Sequence, residues 1–230
     1  IPSGITNVEK RAVRDAARNA GARDVHLIEE PMAGAVGTKL PVNEPVGSMV
    51  IDIGGGTTDI AVISLGGIVA SRNLRIAGDK LNKDIISYIK EEFKILIGEK
   101  TAETLKLAVG SVTELATPLK MKARGRDLVT GLPREISITD SDVRAAISDS
   151  ISAVVEGIKE VLETTPPEVV ADVMHRGLVL LGGGALITNL GQMLQEELRV
   201  PVYIAEDPLT CVVRGAGFVL EDLERFGNVL

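Results

Sequence analysis

The sequence has few aromatic and sulfur-containing side chains. Its 230 residues include no Trp, two Tyr, three Phe and one Cys, Cys211. A single cysteine excludes a disulfide within the chain and favours a reducing compartment. With aromatic residues at 2%, the core has to be built from Val, Ile, Leu and Ala, and nucleic-acid bases have no aromatic platform on which to stack.

Positive charge and metal-binding side chains are also scarce. The 25 Lys and Arg residues are outnumbered by 32 Asp and Glu, and the net charge of −7 argues against a nucleic-acid surface. His26 and His175 have no partner at metal-ligand spacing and are interpreted as ordinary scaffold or surface residues. The longest apolar run, 178–187, is too short and too rich in glycine to span a bilayer, and no signal peptide is expected.

Helix and strand signals are mixed along the chain, which predicts an α/β protein. Thr6 and Glu9 form a capping box that begins a first helix, and Gly21 ends it. A short strand, "VHLIEE" (25–30), and a small-residue helix from Pro31 are expected next. The first helix should bury one apolar side: Val8, Ala12, Val13, Ala16, Ala17 and Ala20.

The rest of the chain predicts a three-stranded antiparallel meander followed by further helices and strands. The predicted strands are 49–53, 58–64, 68–76, 178–181 and 200–205. Further helices are predicted near 81–93, from about 101, and over 141–163, 189–198 and 210–224. Residues 118–138 are typical of turn-rich β structure, and the proline-containing stretch 163–177 is interpreted as a connection.

The most distinctive stretch is "VIDIGGGTTDIAVISLGG", in which Gly54, Gly55 and Gly56 separate two predicted strands. Bare backbone in such a turn can direct several N–H groups into one concavity, which suits a phosphate. Asp52 could hold Mg²⁺ directly or through water, and Thr57 adds a hydroxyl at the same rim. The alternative is an ordinary capped β-turn.

A second run of three glycines, Gly182, Gly183 and Gly184, follows the strand at 178–181. It would allow either a flat ligand against the backbone or a close approach of helix and strand. Neither turn is a Walker A loop or a dinucleotide-binding fingerprint.

Two sets of charged residues add further candidates. Glu30, after Glu29 and before Pro31, could orient a water molecule or interact with a helix N-terminus. Glu103 and Lys106 lie three residues apart on one predicted helix face. They could both bind the same ligand, or they could form a solvated ion pair.

Together these segments resemble the MreB family of bacterial actin homologues over essentially the whole chain. The matching stretches are "IPSG", "LIEEPMAGAVG", "VIDIGGGTTDIAVISLGGIV", "IGEKTAE", "ARGRDLVTGLP", "TPPEVVAD" and "LLGGGALI". The resemblance implies an actin-like ATPase (ribonuclease H-like) fold with ATP and Mg²⁺ in a cleft between two lobes. It also implies a filament-forming cytoskeletal protein that determines rod shape by organising cell-wall synthesis.

Carried over to this sequence, the resemblance assigns roles to the candidate residues. Residues 54–57 and Asp52 match the second phosphate loop and its magnesium-side acid, and Glu30 matches the residue that positions the attacking water. Glu103 and Lys106 match the residues that hold the ribose and adenine, and 182–184 match the adenosine loop.

The resemblance also implies a division of the chain. Residues 1–45 correspond to a remnant of the N-terminal lobe, 46–79 and 141–209 to the second lobe, 80–140 to an inserted α+β subdomain, and 210–230 to a helix returning to the N-terminal lobe. The chain begins at Ile1 and lacks the family's first phosphate loop, so a piece of a longer protein is expected, which alone hydrolyses ATP poorly or not at all.

The implied setting is the cytoplasm at the inner face of the cell membrane. Implied partners are further copies of the protein, cell-wall synthesis and cell-shape membrane proteins, and the membrane surface through the missing N-terminal part. Nucleic acid is not expected. A small-molecule kinase or a chaperone-type ATPase of the same superfold, and an inactive fragment, remain as alternatives.

Overall fold

The structure, a computed structural model, describes all 230 residues as nine α-helices and eight β-strands. The helices are α1 (Asn7–Asn19), α2 (Glu30–Gly37), α3 (Gly78–Phe93), α4 (Glu99–Val109), α5 (Asp140–Thr164), α6 (Pro167–Arg176), α7 (Leu190–Leu198), α8 (Cys211–Glu221) and α9 (Leu223–Phe226). The strands are β1 (Ser48–Ile53), β2 (Thr58–Ser64), β3 (Gly67–Leu74), β4 (Ile95–Leu96), β5 (Lys120–Asp127), β6 (Pro133–Thr139), β7 (Leu178–Leu181) and β8 (Val202–Ile204). None of the helices combines the length and apolar character needed to cross a membrane.

The main sheet has five strands in the order β3-β2-β1-β7-β8. The predicted meander is confirmed, because β1 pairs antiparallel with β2 and β2 with β3. On its other side β1 pairs in parallel with β7, and β7 in parallel with β8. The carboxyl ends of β1 and β7 therefore lie side by side, and each is followed by a glycine turn.

Helices cover both faces of this sheet, which is why β1 is buried along its whole length. Helices α3 and α5 cover one face, and α2 and α8 cover the other. Helices α2 and α8 cross in close contact at two glycines. A Cβ atom on Gly215 would lie 1.7 Å from the carbonyl oxygen of Ala33, and one on Gly37 would lie 2.0 Å from that of Cys211.

A second, three-stranded sheet in the order β4-β5-β6 is formed by strands that lie between α3 and α5 in the chain, with α4 between β4 and β5. Its buried residues Ile95, Ala123 and Ile138 belong to the same core cluster as those on the α3 and α5 side of the main sheet. The second sheet is therefore joined to the main sheet by a continuous core.

Three sequence-based expectations are wrong. Residues 25–30 form no strand, although the segment runs beside the N-terminus, where Glu30 N–H donates to the carbonyl of Ile1 at 2.8 Å. The expected connection at 163–177 contains α6, since Pro167 occupies the first helical turn, where its missing N–H costs nothing. The capping box of α1 is present, but this helix has no buried residue and Val8 is 78% exposed.

Candidate functional site

A cleft of about 670 Å³ opens at the carboxyl edge of β1 and β7. This edge is where open α/β sheets usually bind ligands. The cleft is lined by most of the residues that the sequence predicts: Glu30, Asp52, Gly54, Gly55, Glu103, Lys106, Gly182, Gly183 and Gly184. Gly56 and Thr57 belong to the same turn but do not line the cleft.

The first glycine turn leaves several backbone donors free. Only Gly54 N–H is used within the turn, where it donates to the carbonyl of Thr57 at 3.0 Å. The N–H groups of Gly55, Gly56 and Thr57 donate to no acceptor in the chain. A Cβ atom on Gly55 or Gly56 would meet nothing within 4 Å. Such a turn is a ready concavity for an anion.

The same turn is held in place by hydrogen bonds from the start of α3. The carbonyl groups of Gly54 and Gly55 accept hydrogen bonds from the N–H groups of Gly78 (3.1 Å) and Asp79 (2.8 Å). The carbonyl groups of Gly54 and Gly55 are therefore fixed by α3, while the N–H groups of residues 55–57 stay free. Sequence reasoning missed Gly78 and Asp79, whose only signal is a Gly-Asp pair at the predicted helix start.

The glycines of the second turn are needed for a close approach to β1. Gly182 has a φ of 76°, and a Cβ atom there would lie 2.4 Å from Oδ1 of Asp52 and 2.4 Å from the carbonyl oxygen of Ile53. A Cβ atom on Gly184 would lie 2.2 Å from Cγ2 of Ile53. Of the two sequence-based explanations, close packing therefore accounts for Gly182 and Gly184.

The carboxyl groups of Asp52 and Glu30 line the cleft near the buried Asp59. Asp52 is 8% exposed, and burial together with the negative charges of Glu30 and Asp59 raises its pKa to about 6. Burial and the charge of Asp59 also raise the pKa of Glu30. Asp52 and Glu30 therefore resist ionisation, an effect that a cation bound beside them would reverse.

Asp59 is a buried residue that sequence reasoning missed. Its carboxylate accepts hydrogen bonds from Ser3 N–H at 3.0 Å, from Asn73 Nδ2 at 2.9 Å and from Thr57 Oγ1 at 3.3 Å. The hydroxyl of Thr57 is therefore directed at Asp59. The signal was present in the meander, because Asp59 on β2 is the direct cross-strand partner of Asp52 on β1.

The donor set fits magnesium only in combination with another ligand. No group of three or more His, Cys, Asp or Glu side chains is arranged to hold a metal ion, so Asp52 is a single candidate ligand. Mg²⁺ is typically held by one or two carboxylates together with substrate phosphates and water. The free N–H groups of the first turn would hold such a phosphate close to Asp52.

Helix α4 contributes a buried cation to the cleft. Lys106 is 9% exposed at its side chain, and its Nζ donates to Glu103 Oε2 at 2.7 Å and to the carbonyl of Gly78 at 3.1 Å. Asn82 Nδ2 donates to the same Glu103 oxygen at 2.7 Å, and its own Oδ1 is buried without a partner. Hydrogen bonds from Lys106 and Asn82 lower the pKa of Glu103. Lys106 is thus largely withdrawn from solvent, whereas the side chain of its partner Glu103 is 44% exposed.

Apolar side chains complete the mouth of the cleft. Leu107, Leu186 and Leu209 come from three separate segments, line the cleft and are largely exposed. Ile187 and Val212 lie beside them. Such a surface suits the flat face of a ring. Sequence patterns could not predict this apolar surface, since its residues come together only through the fold.

Comparisons with known proteins agree with this architecture. The MreB/Mbl protein family model matches residues 1–228. The chain is 47% identical to the cell shape-determining protein Mbl of Bacillus subtilis over 224 residues, covering 97% of this chain and 67% of that protein. It is 47% identical to the cell shape-determining protein MreB of Escherichia coli K12, covering 100% of this chain and 66% of that protein. The chain thus spans about two thirds of the length of these relatives.

Solved structures show the same fold. MreB5 of Spiroplasma citri bound to ADP superposes with a TM-score of 0.94 at 39% identity, over 97% of this chain and 68% of that chain. A MamK double helical filament gives a TM-score of 0.82 at 23% identity, over 96% of this chain and 67% of that one, which supports the fold alone. The predicted actin-like ATPase fold is confirmed, and the chain belongs to the MreB/Mbl family.

Proposed function

We propose that this chain is the larger part of an ATP-binding, actin-like bacterial cytoskeletal protein that assembles into filaments. The observation that carries the proposal is the pair of glycine turns at the neighbouring carboxyl ends of β1 and β7. The first turn offers free N–H groups beside the buried Asp52, and the second lies against the same strand end. Nucleotide phosphates are bound by such backbone donors.

The relatives support this proposal. MreB5 of Spiroplasma citri was solved with ADP and with AMPPNP, at 39% identity in both cases. The curated relatives Mbl and MreB are cell shape-determining proteins. Because the chain spans about two thirds of their length, the activity of the whole protein is an inference here.

Each candidate residue has a role in this proposal. The N–H groups of residues 55–57 bind phosphate oxygens, and Asp52 holds Mg²⁺ directly or through water. Glu103 and Lys106 hold the ribose and adenine beside the 182–184 turn. Mg²⁺ neutralises phosphate charge when bound.

Glu30 is the proposed water-orienting group. It lines the cleft, and its raised pKa reflects its burial near Asp59. As a carboxylate it accepts a hydrogen bond from water and holds that molecule in line for attack. Hydrolysis also needs donors from the part of the relatives that this chain does not span, and the chain alone is expected to be a poor catalyst.

The proposed cellular role follows from the family. Filaments at the inner face of the cell membrane would organise cell-wall synthesis together with cell-shape membrane proteins. Contact with the membrane surface is assigned to the part of the relatives outside this chain.

Electron microscopy of the complete protein with Mg²⁺ and ATP, together with phosphate-release measurements, tests this function. Nucleotide-dependent filaments are expected. A kinase of the same superfold would convert ATP to ADP only with an acceptor, which takes up the phosphoryl group so that little inorganic phosphate is released, and it would form no filaments. A chaperone-type ATPase would respond to unfolded polypeptide. An inactive protein would show neither polymer nor nucleotide binding.

A further inference from the structure

Helix α3 buries one polar side chain that the proposed nucleotide roles leave unexplained. Its buried residues are Leu81, Asn82, Ile85 and Ile89, and Asn82 is the only polar residue among them. Asn82 is 8% exposed and does not itself line the cleft. Burying a polar group costs free energy unless its hydrogen bonds are made, so an amide in an otherwise aliphatic set has a specific reason.

The hydrogen bonds of Asn82 are only half made within the chain. Its Nδ2 donates to Oε2 of Glu103 on α4 at 2.7 Å, whereas its Oδ1 is buried with no partner. Folding alone does not account for this arrangement. The side chain of Glu103 is 44% exposed, so water could replace the lost donor, and an aliphatic residue at position 82 would leave no buried oxygen unpaired. The bond to Glu103 is what an aliphatic residue could not supply.

The carboxylate of Glu103 is held through one oxygen only. Lys106, three residues further along the same helix, also donates from its Nζ to Oε2 at 2.7 Å. Asn82 supplies the one hydrogen bond that this carboxylate accepts from another helix. Oε1 accepts no hydrogen bond from the chain, and Glu103 lines the cleft. The two donors restrict the rotation of the carboxylate and leave Oε1 as the acceptor for a ligand.

The charge of this acceptor determines which ligand groups it favours. Hydrogen bonds from Lys106 and Asn82 hold the pKa of Glu103 below its ordinary value, although burial opposes the shift. Glu103 is therefore a carboxylate, which accepts hydrogen bonds and donates none. The two neighbouring hydroxyl groups of a ribose are matching donors, and a deoxyribose has one fewer. A site that bonds a hydroxyl discriminates against an analogue without it, because the acceptor is then left unpaired.

We propose that Asn82 is a positioning residue that makes the cleft selective for ribonucleotides over deoxyribonucleotides. It acts through Glu103: by holding Oε2, it places Oε1 to accept a hydrogen bond from a ribose hydroxyl. Without the amide, Lys106 still keeps Glu103 charged, but the carboxylate rotates more freely and bonds the hydroxyl more weakly. This inference rests on the proposed nucleotide site and adds a determinant of sugar selectivity to it.

Calorimetric titration of the complete protein with the Mg²⁺ complexes of ATP, 2′-deoxy-ATP and 3′-deoxy-ATP tests this selectivity. The wild-type protein should bind ATP about tenfold more tightly than one or both deoxy analogues, as expected for one hydrogen bond to a charged group. Asn82→Ala should remove most of this difference by weakening ATP binding alone. Its unchanged affinity for the disfavoured analogue would also show that the variant is folded.

Two further variants complete this comparison. Asn82→Leu fills the buried position without a hydrogen-bond donor and should behave as Asn82→Ala does. Lys83→Leu, at the adjacent exposed position of α3, is the control and should keep the wild-type selectivity.

A double-mutant cycle tests whether Asn82 acts through Glu103. Glu103→Gln should lose the preference for ATP in the same way, because a neutral amide oxygen is a weaker acceptor than a carboxylate. Adding Asn82→Ala to Glu103→Gln should then cause no further loss, since both residues act on one hydrogen bond. Additive effects of the two changes, or wild-type selectivity of Asn82→Ala, would overturn the proposal. Equal weakening of all three nucleotides by Asn82→Ala would identify a purely structural role and would overturn it as well.

Failure of this inference differs from failure of the proposed function. Wild-type protein that binds ATP and both deoxy analogues with equal affinity would overturn the sugar selectivity alone. Wild-type protein that binds none of the three nucleotides would overturn the proposed function together with this inference.

Discussion

At the scale of single residues, the cleft is built at a cost to stability. Asp52 is buried near two further carboxyl groups, and its pKa is raised from 3.8 to about 6. At a pH between the unfolded-state pKa and the native-state pKa, the native state binds more protons than the unfolded chain. The free energy of unfolding therefore falls as the pH rises through this range. A shift of this size corresponds to about 3 kcal/mol at neutral pH. Such a penalty is consistent with a site that binds a cation, because the cation would stabilise the charged carboxylate.

Asp52→Asn should therefore stabilise the nucleotide-free protein. We expect the free energy of unfolding at pH 7.5 to rise by about 1–3 kcal/mol, and the gain to disappear toward pH 4. Urea unfolding of both forms across this range measures the effect. Asp149→Asn, at an exposed position on α5, is the control and should change little. Destabilisation by Asp52→Asn at pH 7.5 would show that the carboxylate is held by contacts that favour its charge.

Glu30 and its neighbour Glu29 provide a second test at this scale. Glu30→Ala should reduce ATP hydrolysis by the complete protein by about 10²–10⁴-fold, since a positioned proton acceptor contributes about that factor. ATP affinity should remain nearly intact, and filaments should persist longer. Phosphate release and polymer sedimentation measure the two effects side by side.

Glu29 is the matched control, because its side chain bonds to Lys10 at 3.2 Å and does not line the cleft. Glu29→Ala should hydrolyse ATP at the wild-type rate. Normal phosphate release by Glu30→Ala would remove Glu30 from the mechanism, and loss of nucleotide binding would identify it as structural.

At the scale of elements, the two glycine turns differ in what they require. The first has open space beside its backbone, and the second is in close contact with β1. Substitutions should therefore act on binding in the first turn and on folding in the second.

Gly55→Val should leave the fold intact and abolish nucleotide binding, because its side chain enters the space beside the free N–H groups. Gly182→Ala should instead destabilise the protein, since its φ is 76° and its Cβ atom would clash with Asp52 and Ile53. Calorimetric titration with Mg-ATP and thermal unfolding of both variants distinguish the two outcomes. Wild-type ATP affinity of Gly55→Val would contradict the phosphate-loop assignment.

Helix α4 gives a separate prediction about the base and sugar. Replacing both Glu103 and Lys106 with Ala should weaken binding of adenosine nucleotides by roughly 1–3 kcal/mol, the loss expected for charge-assisted hydrogen bonds. Inorganic tripolyphosphate should bind as before. The exposed pair Glu99 and Lys100 at the start of the same helix is the control. If the double variant binds ADP with unchanged affinity, Glu103 and Lys106 do not bind the nucleotide and have a structural role.

Much of the fold and most of the cleft follow from the sequence, for identifiable reasons. The meander is predictable because β-branched runs alternate with glycine turns, and α5 because its buried residues recur at helical spacing. Residues 25–30 were predicted as a strand because local patterns do not say whether a pairing strand is available. The amphipathic α1 was predicted to be buried, yet pattern alone cannot show that nothing covers it.

Residues that meet only through the fold could not be predicted. The bonds from Gly78 and Asp79 to the first turn, and the apolar wall of Leu107, Leu186 and Leu209, each join distant segments. The position of Asp59 could have been predicted, because the register of a tight hairpin places it opposite Asp52.

At the scale of the whole molecule, the cleft is supported by both sheets of the fold. The cleft lies at the carboxyl edge of the main sheet. The core that joins the two sheets is continuous, so a ligand in the cleft contacts elements that also support the second sheet. Helices α3 and α4 both contribute lining residues and lead into β4 and β5.

If the two glycine turns form one side of the nucleotide site of a filament protein, the nucleotide should be seen against both turns within the polymer. Electron cryomicroscopy of polymer grown by the complete protein with Mg²⁺ and a non-hydrolysable ATP analogue would show where the nucleotide binds. We expect phosphate density at the N–H groups of Gly55, Gly56 and Thr57, with a cation beside Asp52 and the ring beside the 182–184 turn. Nucleotide density away from both turns, or nucleotide bound without any polymer, would contradict this role of the two glycine turns.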